Sequence, residues 1–559
     1  MGLSFGPKAK APGQIQSMKT NSLRISPAAA GVFLAALSLV APTAGCRKAP
    51  RPDNLILVTL DTQRQDYLGA YSPGKARTPN FDEIAGQSLL FKNAYCVIPI
   101  TLPSHASIFF SEPPDAVKNY NNGQIISKKR SRPSFVNLFK KEGYLTAAFV
   151  SLGVLGSDFG LEEAFDLYVG RFPEDRWYLS AGEVNQRVLP WLEQNRDRKF
   201  FLWVHYSDPH DPYSPPDDPA DTRLFLNGKL IHETCLNKYT LNTVNLDLKP
   251  GKNELRFEML NEEQSNPDQF MARLDKLETV NPADGKEVRT DLVRGWYFRR
   301  SDSIFFLKTG SLAEINNTAG LKQVRFTFRG KPLFSVQGTR NKYRQEVEYM
   351  DSEIGKLWAK LRQLGLAERT AVVMAGDHGE GLGEYLNSFG DPHIGHIHFL
   401  YEVYMRVPLT LYLPGYSRAG KTEETPVTLL DIAPTISGIM GFGRLPSFEG
   451  RSLLSLKEKR GPSIYQQTWR PEAVWNKFGL LAFPWHMILT PETQKYELFD
   501  LSRDRDESTD LFGGPDLPRE VESLKQTLAS FAREALRDKE DIQVDQKARE
   551  MLRSLGYIK

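Results

Sequence analysis

Leu55-Ile56-Leu57-Val58-Thr59-Leu60, closed by Asp61, and Ala371-Val372-Val373-Met374-Ala375-Gly376, closed by Asp377-His378, decide the fold. Each is a short, unbroken apolar run, as expected of a strand buried on both faces of a parallel sheet. Each ends on side chains that can bind a metal. Phe200-Phe201-Leu202-Trp203-Val204 ends in the same way, on His205. In open α/β sheets ligands bind beyond the carboxyl ends of the strands, so three such ends imply one composite site. Val347, Met350, Ile354, Leu357, Trp358, Leu361 and Leu364 recur at three- and four-residue spacings. That periodicity predicts a helix covering one face of the sheet.

The stretch 217–340 departs from this pattern. Leu224-Phe225-Leu226, Asn227-Gly228 and Lys229-Leu230-Ile231 read as a hairpin, since Asn-Gly suits a two-residue turn. Alternation recurs over 243–248, 254–259, 302–307 and 323–328, with turn residues such as Lys249-Pro250-Gly251 between them. An inserted β-sandwich domain is expected there, dividing an α/β core into 54–216 and 341–425. A smaller C-terminal α+β subdomain is expected over 426–559, with helices over 428–439 and 520–537 and a strand over 496–501.

The ends and the composition narrow the class further. Residues 28–41 form an almost wholly apolar run, too short for a span of about 20 residues. Lys19 and Arg24 precede it, and Thr43-Ala44-Gly45 leads into Cys46. This is the layout of a secretory signal peptide over 1–46, followed by a basic tether over 47–53. Ala-Gly-Cys resembles a bacterial lipobox, although Thr43 stands in place of the usual Leu. The expectation is an exported lipoprotein anchored to a membrane at Cys46 and facing the periplasm or the exterior. Plain secretion with an unmodified Cys46 is the alternative, and Met18 would give a signal of ordinary length. Of the 559 residues 40% are apolar and 25% charged, which excludes a disordered or collagen-like chain. A net charge of +3 predicts no broad nucleic-acid footprint. Three cysteines exclude a disulfide framework and a Cys-rich zinc site.

Nine histidines are present, and seven lie in the segments that carry polar strand ends and loops: His105, His205, His210, His378, His393, His396 and His398. Asp61 and Asp377-His378 supply two carboxylates and an imidazole, a set that suits one divalent cation. Thr101-Leu102-Pro103-Ser104-His105 follows the first βα unit. Pro103 disfavours helix at Leu102 and so would present Thr101 where a helix N-terminus faces an anion. Thr101 can then act as a nucleophile if a metal or base lowers its pKa. Taken alone, the same residues read better as an ordinary N-cap before 106–110.

Together these segments resemble the sulfatase family of the alkaline phosphatase superfamily. The resemblance rests on Asp61-Thr62-Gln63-Arg64-Gln65-Asp66, Thr78-Pro79-Asn80-Phe81-Asp82, Thr101-Leu102-Pro103-Ser104-His105, His205-Tyr206-Ser207-Asp208-Pro209-His210, Gly376-Asp377-His378-Gly379-Glu380, Arg406-Val407-Pro408, Asp431-Ile432-Ala433-Pro434-Thr435 and Tyr496-Glu497-Leu498-Phe499-Asp500, in that order. It implies an alkaline-phosphatase-like α/β/α sandwich and a metal-dependent hydrolase of sulfate or phosphate esters. The departures bear on mechanism. The family's Cys or Ser, matured to formylglycine, is Thr101, which cannot form that aldehyde. The motif Arg is His105, the paired Asp is Leu60-Asp61, the Asp-Asn is Asp377-His378, and Ala148-Phe149-Val150-Ser151-Leu152 stands where a Lys-x-His segment is usual.

The resemblance implies a cation held by Asp61, Thr101, Asp377 and His378. Fewer oxygens and an added imidazole favour Zn or Mn, with Ca admissible. Thr101 would be the metal-activated nucleophile. His210 would contact substrate oxygens or the leaving group, and His396 or His398 would protonate the leaving oxygen. Asp208, His210 and His396 or His398 offer a second metal site as an alternative. A threonyl sulfate must be hydrolysed by water, which tilts the expectation toward phosphodiesters. Expected partners are a sulfated or phosphorylated small molecule, glycan or lipid headgroup. Two rival readings are a phosphoryl-headgroup transferase, whose relatives carry membrane helices, and a catalytically inactive glycan-binding lipoprotein. In the second, Trp296, Tyr297 and Phe298 of the insertion could stack on sugar rings, although such residues are more often simply strand core.

Overall fold

The computed structural model describes residues 51–126, 132–173, 176–216, 218–238, 240–260, 271–299, 304–387, 390–456, 461, 463–469, 475–515, 517 and 519–537. The expected signal peptide and Cys46 lie outside them.

Eight strands form the central sheet: β1 (Asn54–Leu60), β2 (Leu89–Phe91), β3 (Leu145–Phe149), β4 (Leu167–Val169), β5 (Phe200–Tyr206), β6 (Thr370–Gly376), β7 (Leu409–Tyr412) and β8 (Thr422–Glu423). Their order is β8-β2-β7-β6-β1-β5-β3-β4. β1 runs parallel to both β6 and β5. Every residue of β1, β5 and β6 is buried, which is why the three read as unbroken apolar runs. Alternate side chains enter separate cores on the two faces: Leu55 and Leu57 with Phe201 and Trp203 on one, Ile56 and Val58 with Leu202 and Val204 on the other.

The second core is covered by α2 (Ala181–Gln194) and α3 (Val336–Gln363), the first by α1 (Thr101–Phe110). Ser335 caps α3 by accepting from the Gly338 amide. The helix thus begins inside the range expected for the insertion. The last inserted strand, Gln323–Pro332, ends the insertion instead.

Asn227 and Gly228, with φ of 50° and 82°, make the tight turn expected between Thr222–Leu226 and Lys229–Thr234. The insertion is one antiparallel network rather than two independent sheets. Its long strand Ile304–Asn317 pairs with Gly251–Met259, Ala272–Val280 and Thr290–Arg299. The outermost strands approach each other, since the Thr234 hydroxyl donates to Asn242 Oδ1 at 2.6 Å. Leu224, Leu246, Phe257, Leu307 and Phe326 therefore share one core. Trp296 belongs to that assembly: its ring lies against Phe257 and its Nε1–H donates to the Leu312 carbonyl. Tyr297 and Phe298 face outward.

Beyond the core, Ile464–Thr468, Lys477–Ala482, Trp485–Thr490 and Lys495–Asp500 form an antiparallel sheet. Val521–Arg537 lies on it through Leu528, Ala532 and Ala535, completing an α+β subdomain. No helix among the described residues is long and apolar enough to cross a membrane.

Candidate active site

Register brings the site together. Leu60 pairs with Gly376 and with Tyr206, so Asp61, Asp377 and the end of β5 emerge side by side. Beyond β1 the chain turns at Thr62, whose φ of 53° is a left-handed conformation that is uncommon for a β-branched residue. Three bonds hold it there. The Thr62 amide donates to Asp377 Oδ1, its hydroxyl to the Pro209 carbonyl, and the Tyr343 hydroxyl of α3 to the Thr62 carbonyl. Gly379 follows His378 because a side chain there would collide with the Val403 carbonyl.

Each carboxylate has one oxygen tied down and one left over. Asp377 Oδ1 accepts from the amides of Thr62 and His378 at 3.2 and 2.7 Å. Asp61 Oδ2 accepts from His205 Nε2 at 3.2 Å. Asp61 Oδ1 and Asp377 Oδ2 are buried and make no hydrogen bond. His378 Nδ1 lies 3.0 Å from the Gly379 carbonyl and so carries the proton, which leaves the Nε2 lone pair facing inward. Nε2 is 3.4 Å from Asp377 Oδ2, 3.9 Å from Asp61 Oδ1 and 3.4 Å from Thr101 Oγ1.

Ligating atoms of Asp61, Asp377 and His378 lie within 4.8 Å of one another, the one such group of three among the described residues. Two buried carboxylate oxygens and an imidazole lone pair, converging on one point, fit a divalent cation. Without one, burial and the neighbouring Asp61 raise the pKa of Asp377 well above the carboxylate range. Burial also raises that of Asp61, but His205, His210 and His378 more than offset it and hold the carboxylate ionised. Burial keeps His378 neutral, the form that binds metal.

Thr101 is the first residue of α1. Its N-cap, Ile100, offers no side-chain bond, and the Thr101 hydroxyl faces His378 rather than capping the helix. Two expectations are corrected here. Leu102 is helical, because Pro103 falls in the first turn, where its missing N–H costs nothing. The helix N-terminus is also not an open anion cradle: the Leu102 amide donates to Asn122 Oδ1 and the Ser104 amide to the Ile100 carbonyl.

The histidines separate by position. His105 lies behind the site, fully buried. The Trp203 indole donates to Thr59 Oγ1, which lies 3.0 Å from His105 Nε2, and His105 Nδ1 lies 2.8 Å from the Thr101 carbonyl. Burial pulls its pKa down to about 3, so it stays neutral. His105 was expected to be catalytic. Its bonds to Thr59 and Thr101 hold the start of α1, and its Nδ1 also lies 3.6 Å from Asp377 Oδ2.

His210 and His396 are in the site, with ring centroids 5.2 Å apart, and His396 is 4.5 Å from His378. Burial lowers the His210 pKa to about 4. Burial would lower that of His396 too, but Glu380, whose Oε2 lies 2.9 Å from Nδ1, raises it. His398 is set aside: its Nδ1 lies 3.2 Å from the His396 carbonyl and its ring lies tilted against His393, centroids 4.1 Å apart. Asp208 turns away and accepts from the Ala181 amide at the start of α2, which removes it from the expected second metal site.

Three supporting residues are not assigned by the sequence. Ser151, in the segment that stands in for Lys-x-His, fixes His205: its amide and hydroxyl lie 3.4 and 2.9 Å from Nδ1, leaving Nε2–H to hold Asp61. Glu380 holds His396 and accepts from the Tyr213 hydroxyl at 2.6 Å. Lys238 reaches in from the insertion. Its buried Nζ donates to the carbonyls of Asp208 and His210 at 2.7 and 2.6 Å and lies 3.2 Å from Glu346. Lys238→Met is expected to lower kcat/KM roughly tenfold or more by freeing the His210 loop, with bound metal retained. Steady-state kinetics beside metal analysis checks this.

The family model described as Sulfatase matches residues 53–442, and one described as N-sulphoglucosamine sulphohydrolase, C-terminal, matches 396–534. An N-acetylglucosamine-6-O-sulfatase of Bacteroides thetaiotaomicron is 24% identical, covering 93% of this chain and 94% of its own. An arylsulfatase of Clostridium perfringens is 23% identical, covering 85% and 93%. Among solved structures, a protein in complex with its substrate D-glucosamine-2-N,6-O-disulfate superposes with a TM-score of 0.56 at 16% identity, over 88% of this chain and 100% of its own. The phosphonate monoester hydrolase of Agrobacterium radiobacter gives 0.54 at 15%, over 88% and 96%. These likenesses carry the fold expected for the core, an alkaline-phosphatase-like α/β architecture.

Proposed function

The chain belongs to the sulfatase family, and from that premise we propose that it hydrolyses sulfate esters of saccharides with Thr101 as the nucleophile, in place of formylglycine. One observation carries the proposal: Thr101 Oγ1 lies beside His378 Nε2, next to the two uncommitted oxygens of Asp61 and Asp377. Asp61, Asp377 and His378, with Thr101, would hold a divalent cation. That cation supplies Lewis-acid charge that lowers the pKa of a hydroxyl and offsets charge on the ester oxygens.

Thr101 Oγ1, having lost its proton to solvent, forms the bond to sulfur as the bond from sulfur to the leaving oxygen breaks. His396, held by Glu380, gives that oxygen its proton, and His210 hydrogen-bonds the sulfuryl oxygens. Water then attacks the threonyl sulfate and loses a proton to the neutral His396. Sulfate departs, and Thr101 regains its proton from solvent. His105 keeps the start of α1, and Thr101 with it, fixed throughout.

The relatives named above are sulfatases, so the sulfate ester comes first and the leaning toward phosphodiesters finds no support in them. Phosphonate and phosphate esters come second, because a phosphonate monoester hydrolase shares the fold. The test is turnover of p-nitrophenyl sulfate, 6-O-sulfated N-acetylglucosamine, a phosphonate monoester and a phosphodiester side by side. Sulfate turnover lost in Thr101→Ala supports the reading, and phosphoryl turnover alone overturns it. The location proposed is the outer side of a membrane, anchored through Cys46. Cys46→Ala should move the protein from the membrane to the soluble fraction of the expressing cells.

A further inference from the structure

A shallow, open cleft lies where the core meets the insertion, next in the chain to His210. The core contributes Arg176, Trp177, Tyr178 and Asp211, and the insertion contributes Arg273, Arg329 and Lys331. Two of its lining residues, Tyr178 and Asp211, contact His210. His210 Nδ1 bonds the Asp211 carbonyl at 2.7 Å, and the Tyr178 ring is 5.9 Å from the His210 ring. Its charge is unbalanced. Arg176 pairs with Glu183, Arg329 with Asp275, and Lys331 with Asp211. Arg273 lines the same cleft, half-buried; it lies in the field of Asp211 but forms no direct ion pair among the described residues.

Ion pairs that served only to join the insertion to the core would need no such surplus. The cleft's carboxylates, Asp211 and Asp275, are already paired with Lys331 and Arg329, so the planar fork of Arg273 keeps free donors that suit sulfate and carboxylate oxygens alike. Trp177 adds an aromatic wall of the kind that lies against a sugar face. We propose that this cleft is a subsite for a second anionic group of the substrate, a sulfate or carboxylate carried on the same saccharide, with Arg273 as its specificity-determining residue. The substrate class is then a polyanionic saccharide rather than a simple monosulfate. This rests on the sulfate-ester reading of the neighbouring site and narrows it.

The experiment compares wild type with Arg273→Gln in the full chain. The substrates are p-nitrophenyl sulfate, a disulfated disaccharide and a monosulfated disaccharide bearing a uronate. Losing a charge-assisted bond is expected to raise KM for the dianionic saccharide roughly 10–100-fold, with kcat and the p-nitrophenyl sulfate kinetics unchanged. Whichever disaccharide shows the selective loss identifies the anion, and a loss on both means that the cleft takes either. An equal effect on all three substrates, or none on any, overturns the subsite. If wild type hydrolyses no sulfate ester, the catalytic reading fails, and calorimetric titration of the same disaccharides judges the cleft alone. Binding at least tenfold weaker in Arg273→Gln then supports it, and equal binding overturns it.

Discussion

Thr101→Ala is expected to abolish sulfate-ester turnover, with a loss on the order of 10³-fold or more in kcat, as for other nucleophile deletions. The structure confines the damage to chemistry. The hydroxyl does not cap α1, and the contact from His105 is to the Thr101 carbonyl, which alanine keeps. Bound metal should fall only modestly, because Asp61, Asp377 and His378 remain. Thr101→Ser keeps an attacking oxygen and is expected to hold activity within roughly tenfold. Kinetics and metal analysis on the three proteins check this. A binding protein without catalysis would show equal saccharide affinity in all three and turnover in none.

The second large effect concerns the two carboxylates. Asp61→Asn and Asp377→Asn should each lose bound divalent metal and, with it, turnover. Removing an outer partner of a metal site costs roughly 10–100-fold in affinity, and removing a ligand should exceed that. Stability should respond in the opposite sense. In the metal-free protein two buried carboxyl groups face each other, and burial together with Asp61 pushes the pKa of Asp377 up. Asn at 377 relieves that conflict, so the metal-free variant should be at least as stable as metal-free wild type. Added metal should then raise the melting temperature of wild type alone, since a ligand at a hundredfold excess over Kd contributes about 2.7 kcal/mol. Thermal melts with chelator and with Zn, Mn and Ca distinguish the cases and rank the metals. Metal-dependent stabilisation that survives in both variants would contradict the assigned ligands.

Much of this was legible in the chain because buried parallel strands are written plainly. β1, β5 and β6 are apolar throughout and end on Asp61, His205 and Asp377, and parallel register then requires those ends to meet. The hairpin at Asn227-Gly228 was equally plain, because that dipeptide suits few other conformations. Strands Ala272–Val280 and Thr290–Arg299 were missed. Both carry charged residues between apolar ones, and they pack on a core that only the assembled network defines. Side-chain commitments were the least legible. Nothing in the sequence separates His396 from His398, two residues apart. The structure does so by setting Glu380 against one and His393 against the other. Ser151 and Lys238 act through long-range contacts with His205 and the His210 loop, and no local pattern announces those. Nor does the motif reveal that the His105 ring bonds Thr59 and Thr101 while lying 3.6 Å from Asp377 Oδ2.

The most direct test of the central claim is the mass of the peptide carrying Thr101, taken at rest and after acid quench during turnover of a sulfate ester. The prediction is unmodified threonine at rest and a sulfo group on Thr101 during turnover, absent when substrate is omitted. Steady turnover with Thr101 unmodified at every quench time would contradict it.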